Sequence, residues 1–123
     1  MRSLVTTSHI KTSGEEIVFL GEWCKKYNQK DSWVDKKYTT IPYHWKDRKK
    51  FNIDHDYLFE FYEELLTKLC VKLNEIHEVE YTKLYWRTVI GPWLLVYITV
   101  LFDRWENINQ ACALKENLLT AIP

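Results

Sequence analysis

Thr88 to Phe102 is a run of fifteen residues without a charge, and it limits the fold more than any other stretch. Crossing a bilayer takes about 20 apolar residues, so the run falls short. It also holds Gly91-Pro92, and Pro interrupts a regular helix because it lacks the N–H and fixes φ. Beyond it, Leu94, Tyr97, Ile98, Leu101, Phe102, Trp105 and Ile108 recur at helical spacing, while Val96 and Val100 fall on another side. A helix apolar nearly all round is a buried helix. We therefore expect a buried helix over about 82–108, either kinked at Gly91-Pro92 or restarted with Pro92 in its first turn.

Burying such a helix needs material. The chain has 123 residues, 46% hydrophobic and 15% aromatic, with six Trp, which suits one modest domain and excludes a disordered tail. Three Gly and three Pro exclude collagen-like and low-complexity architectures. Short β-rich runs predict strands over about 2–8, 16–21 and 38–42, the middle one (Ile17-Val18-Phe19-Leu20) continuously apolar as if covered on both faces. The stripe Tyr57, Leu58, Phe61, Tyr62, Leu65, Leu66, Leu69, Leu73 and Ile76 predicts a helix over about 54–77, capped by Asp54 or Asp56. After Ile108 no further strand is legible. Three short strands and two long helices give an α/β class, but too little to enclose the apolar helix. The chain is accordingly expected to be the leading piece of a larger protein.

Lys+Arg and Asp+Glu both number 17, so no global field attracts nucleic acid. The balance hides a dipole: residues 25–50 carry nine basic and three acidic residues (net +6), residues 54–80 two basic and eight acidic (net −6). Lys46-Asp47-Arg48-Lys49-Lys50 reads as solvated surface, without an RNA-binding signature. Cys24, Cys70 and Cys112 are too far apart for a zinc or disulfide pattern. They suit reduced thiols in the cytoplasm, and the first residues lack the apolar core of a signal peptide. No metal or other cofactor is called for: phosphate-loop, GxSxG and HExxH motifs are missing from the sequence.

The chemistry-bearing residues cluster beside aromatics. Glu22-Trp23 and His44-Trp45 follow predicted strands, where open α/β sheets bind ligands. Glu22 is a candidate base, or a loop carboxylate paired with the basic segment. His44 is a candidate proton carrier, or a hydrogen-bonded turn histidine. Trp23 and Trp45 offer faces for sugar rings or bases. Arg87, at the edge of the uncharged run, either grips a carboxylate or phosphate or pairs internally, for instance with Asp103. Arg104 is a further anion contact, though with Asp103 adjacent a helix-end salt bridge is the ordinary outcome. His9, His55 and His77 show no partner spacing.

Taken together, Leu4-Val5-Thr6-Thr7-Ser8, Phe19-Leu20-Gly21-Glu22-Trp23-Cys24, Pro42-Tyr43-His44-Trp45, Leu73-Asn74-Glu75-Ile76-His77, Tyr85-Trp86-Arg87, Ile90-Gly91-Pro92-Trp93 and Leu101-Phe102-Asp103-Arg104-Trp105 resemble the N-terminal region of one family. It is a group of long bacterial transferases associated with surface-polysaccharide biosynthesis, of lipopolysaccharide or O-antigen type. The resemblance implies a partial Rossmann-like first lobe of a two-lobed, GT-B-type glycosyltransferase. It further implies Glu22, His44 and Arg87 on the acceptor side, with a nucleotide-sugar donor and a glycan or lipid-linked acceptor as partners of the intact protein. The alternative is a small non-enzymatic helical module whose 92–108 face binds a partner helix or a membrane surface.

Overall fold

In the computed structural model, which describes residues 2–9, 16–114 and 117–120, strand β2 (Glu16–Phe19) is the centre of one core. Ile17, Val18 and Phe19 are all buried although successive strand side chains point to opposite faces, so the strand is covered on both sides. It pairs in parallel with β1 (Arg2–Val5) through Ser3–Ile17, Leu4–Val18 and Val5–Phe19. On its other edge it pairs in parallel with β3 (Lys37–Thr40), from Glu16–Lys37 to Phe19–Thr40. Glu16 fastens the three strands, at 2.7 Å from Arg2 and 2.6 Å from Lys37. Phe19, Trp33 and Tyr38 meet edge to face, with centroids 5.4–5.9 Å apart.

Two long helices follow, α1 (Arg48–His77) and α2 (Lys83–Ala113), and then β4 (Leu118–Leu119). This last strand corrects the expectation that none follows Ile108. It pairs in parallel with the free edge of β1, Arg2 opposite Leu118 and Ser3 opposite Leu119. Two leucines between polar neighbours carry no period to read. The sheet order is β3-β2-β1-β4. The chain divides into a sheet unit, residues up to His44 and from Trp105 on, and a helical unit, Trp45–Arg104.

In the helical unit, α1 begins at Arg48 rather than near 54, and its cap is Asp47, not Asp54 or Asp56. The Asp47 carboxylate accepts the Lys49 and Lys50 backbone N–H groups at 2.9 and 3.3 Å. That offsets three basic residues in the first turn, which face the positive end of the dipole. Leu58, Tyr62, Leu66 and Cys70 recur every fourth residue and pack against Trp86, Leu94 and Ile98 of α2. Glu78 ends α1 in the left-handed region (φ 53°, ψ 43°). Asn74 then ties the turn: its side chain accepts Tyr81 N–H (3.1 Å) and Trp86 Nε1–H (2.8 Å) and donates to Tyr81 O (2.9 Å).

Of the two alternatives for α2 at Gly91-Pro92, the restart is overturned: Pro92 does not open a new helix, and α2 runs on through it. Nor is α2 the buried helix expected: Trp93 is 60% and Val96 63% exposed, and Val89, Val100 and Leu101 about half exposed. The reason is geometric, because one antiparallel neighbour covers a single stripe of a helix, and here that stripe is Trp86-Leu94-Ile98. Among the described helices, α2 is long and apolar enough to cross a membrane by length and composition, a test that core helices of soluble proteins also pass.

Candidate functional site

The three long-paired strands end in register at Val5, Phe19 and Thr40, so the loops that follow them share the carboxyl edge of the sheet. The order reverses between β1 and β4: β2 and β3 were laid to one side of β1, β4 to the other. Such a switch point is where open α/β sheets receive ligands.

The loop after β2 turns at Gly21-Glu22-Trp23-Cys24. A Cβ on Gly21 would lie 1.9 Å from the Trp23 ring, so glycine is required for the indole to fold back over the backbone. Trp23 packs on the sheet core and Cys24 is buried in it. Glu22 points outward, its side chain 78% exposed, and pairs with Lys25 at 3.0 Å, an ion pair with the basic segment. Lys25 in turn lies 5.1 Å from the Tyr38 ring centroid. After β3, Ile41 closes the ladder onto Phe19 O at 2.9 Å. His44 follows at the head of a 3-10 turn, 5% exposed and 5.3 Å from the Tyr43 ring. After β1 come Thr6, Thr7, Ser8 and His9, where Thr7 Oγ1 accepts the His9 N–H at 3.2 Å. The sequence places these hydroxyls inside a strand over about 2–8, whereas β1 ends at Val5 and leaves them in the loop beside the switch point.

Glu22, Trp23 and His44 therefore belong to loops of neighbouring strands in the sheet unit. Trp45, Arg87 and Arg104 belong to the helical unit. The internal partner of Arg87 is Glu63, not Asp103: the guanidinium holds both carboxylate oxygens, at 2.5 and 2.8 Å. Lys83 adds a third contact at 3.0 Å. The Arg87 hydrogen bonds, with Lys83, pull the Glu63 carboxyl down to about 2, and Glu63 raises the Arg87 pKa in return. Arg104 lies 3.1 Å from Asp103 despite the 100° between adjacent side chains, an ion pair inside α2 rather than at its end, since the helix continues to Ala113. Gly91 lets the helices meet here, since an added Cβ would lie 2.6 Å from the Tyr62 hydroxyl.

Trp45 donates through Nε1 to Asp54 at 3.0 Å, and the same carboxylate oxygen receives Lys50 at 2.6 Å. Its indole stacks on Phe102 (6.2 Å, 13°). Trp45 also lines an apolar cleft of about 250 Å³. Phe51, His55, Leu58 and Phe59 of α1 form one wall, and Leu95 and Thr99 of α2 the other. Among the described residues no His, Cys, Asp and Glu side chains gather as a metal site. Cys24 and Cys70 are buried and Cys112 is exposed, and none of the three is in a disulfide.

Neither curated proteins nor solved structures gave a match to this chain. A family model described as LIC12162 family transferase matches residues 2–123. A parallel sheet with its polar loops at the carboxyl edge is compatible with that description, and the match spans nearly every residue. The chain belongs to the LIC12162 family of transferases.

Proposed function

We propose that this chain forms the acceptor-side lobe of a glycosyltransferase-like enzyme of bacterial surface-carbohydrate biosynthesis, working in the cytoplasm at the inner face of the membrane. The partners would be a nucleotide-sugar donor and a glycan or lipid-linked acceptor, and no nucleic acid. The observation that carries the reading is the parallel β3-β2-β1-β4 sheet, with Glu22 and His44 on loops at its carboxyl edge. That order matches the first four strands of the Rossmann-like order 3-2-1-4-5-6, the fold of GT-B lobes that the sequence resemblance implies. Glu22 would take the proton of an acceptor hydroxyl as it attacks the donor sugar, with His44 assisting. Trp23 would stack on a sugar ring. Arg87 and Arg104, each holding a carboxylate, would exchange that partner for an acidic group of the substrate.

The test is transfer from radiolabelled nucleotide sugars to a glycan acceptor by the intact enzyme. Glu22→Gln should lower kcat at least about 100-fold, the lower range for losing a general base, at unchanged melting temperature. Unchanged turnover would remove Glu22 from the chemistry.

A second reading has its own observation. Val89, Trp93, Val96, Val100 and Leu101 form an exposed, uncharged face on α2, as a helical module that contacts a membrane surface would present.

A further inference from the structure

We infer that the cleft between α1 and α2 binds the apolar chain of an anionic amphiphile, with its charged head at the first turn of α1. The inference stands apart from the glycosyl-transfer reading, because the cleft can fill whatever the sheet edge does. Three observations carry it: size, lining and charge.

A dry cavity of about 150 Å³ lined by aliphatic and aromatic side chains accepts benzene, six carbons. By the same measure, about 250 Å³ takes an aliphatic segment of roughly eight to ten carbons. The walls are aromatic and aliphatic, with polarity supplied by His55 and Thr99. The Thr99 hydroxyl is engaged with Leu95 O at 2.7 Å, so it does not ask the ligand for a hydrogen bond. A sugar or nucleotide base would leave its own polar groups unmatched against such walls. A hydrocarbon chain would not.

The charge fixes the orientation. Positions 48, 51, 55 and 59 share one side of α1, so Arg48 stands one turn before Phe51 on the cleft wall. Lys46, Arg48 and Lys49 are all exposed there. The nearby carboxylates are committed: Asp47 to the helix cap, Asp54 to Trp45 and Lys50, and Asp56, further along α1, beside His55 at 3.5 Å. Lys46, Arg48 and Lys49 thus present an exposed positive end beside an apolar slot. A phosphate head with a single aliphatic tail matches both features.

Calorimetric titration of the full chain with decyl phosphate below its micellar concentration tests this. We expect saturable one-to-one binding, with decyl maltoside weaker by about three- to tenfold and inorganic phosphate without measurable binding. Hexyl phosphate should bind at least about tenfold more weakly than decyl phosphate. Leu95→Trp, which fills the slot, should abolish binding. Arg48→Glu, at an exposed site that leaves folding intact, should weaken decyl phosphate three- to tenfold and leave decyl maltoside unchanged. Binding that appears only above the micellar concentration, or that is equally strong to folded Leu95→Trp, would overturn the inference. If Leu95→Trp fails to fold, an Arg48→Glu variant that binds decyl phosphate as tightly as the wild type would do so instead.

Discussion

Gly91→Ala sets two effects of similar size against each other, and the structure says which wins. In a helix interior Ala is favoured over Gly by about 1 kcal/mol. At this position, however, the new methyl would lie 2.6 Å from the Tyr62 hydroxyl and 3.3 Å from Arg87 Cγ. Tyr62 is buried, 5% exposed, and cannot swing out without opening the helix crossing. Forcing a methyl into a packed site costs about 1–3 kcal/mol, so we expect net destabilisation of about 1 kcal/mol. The Tyr62→Phe background removes the clashing atom, and the next ring carbon, Cζ, is at 3.8 Å, ordinary contact. There the helix preference should prevail and Gly91→Ala should stabilise by up to about 1 kcal/mol. Urea unfolding followed by circular dichroism on all four proteins gives a double-mutant cycle, with an expected coupling of about 1–3 kcal/mol. A coupling under about 0.5 kcal/mol would refute the claim that the Tyr62 hydroxyl is what demands glycine.

Acid should weaken the fold through two carboxylates held at about 2, Glu16 by Lys37 and Arg2 and Glu63 by Arg87 and Lys83. Their folded values lie below the unfolded ones, so their contribution is present above the ordinary carboxylate range and lost as pH falls from about 4.5 towards 2. The urea midpoint should drop across that window, less steeply in Glu63→Gln and in 1 M salt; a flat profile would contradict the two clamps. If the exposed α2 face contacts membranes, the full chain should cosediment with liposomes, and Trp93→Glu with Val96→Glu should abolish this without lowering the melting temperature. Equal sedimentation of the double variant would exclude that face.

What the sequence disclosed follows from the reach of each interaction. The apolar run Ile17–Leu20 announced a doubly covered strand because burial of consecutive strand residues has no other cheap explanation. The stripe in α1 announced its helix, and its Leu58, Tyr62 and Leu66 are buried, whereas its Tyr57, Phe61 and Ile76 stand exposed because α2 covers a narrower face. The start of α1 was misplaced because the basic segment Arg48–Lys50 masks helical character that Asp47 secures by two hydrogen bonds. The ion pair of Arg87 with Glu63 spans 24 positions, and no local spacing reports such a partner. The same holds for Asn74, whose role depends on Tyr81 and Trp86 arriving around one side chain. At the site, sequence placed Glu22 and His44 after strands, as the structure does. The hydroxyls of Thr6, Thr7 and Ser8 acquire interest from the strand order, which needs β4 to be known.

The pairing of β1 with β4 also sets a timetable. One edge of β1 finds β2 almost as soon as both leave the ribosome, but its other edge has no neighbour until Leu118 and Leu119 are made. At common elongation rates that wait is on the order of ten seconds. Throughout it a bare row of amide and carbonyl groups is available to any nascent strand nearby. Slow translation of this gene should therefore favour aggregates seeded at its first few residues.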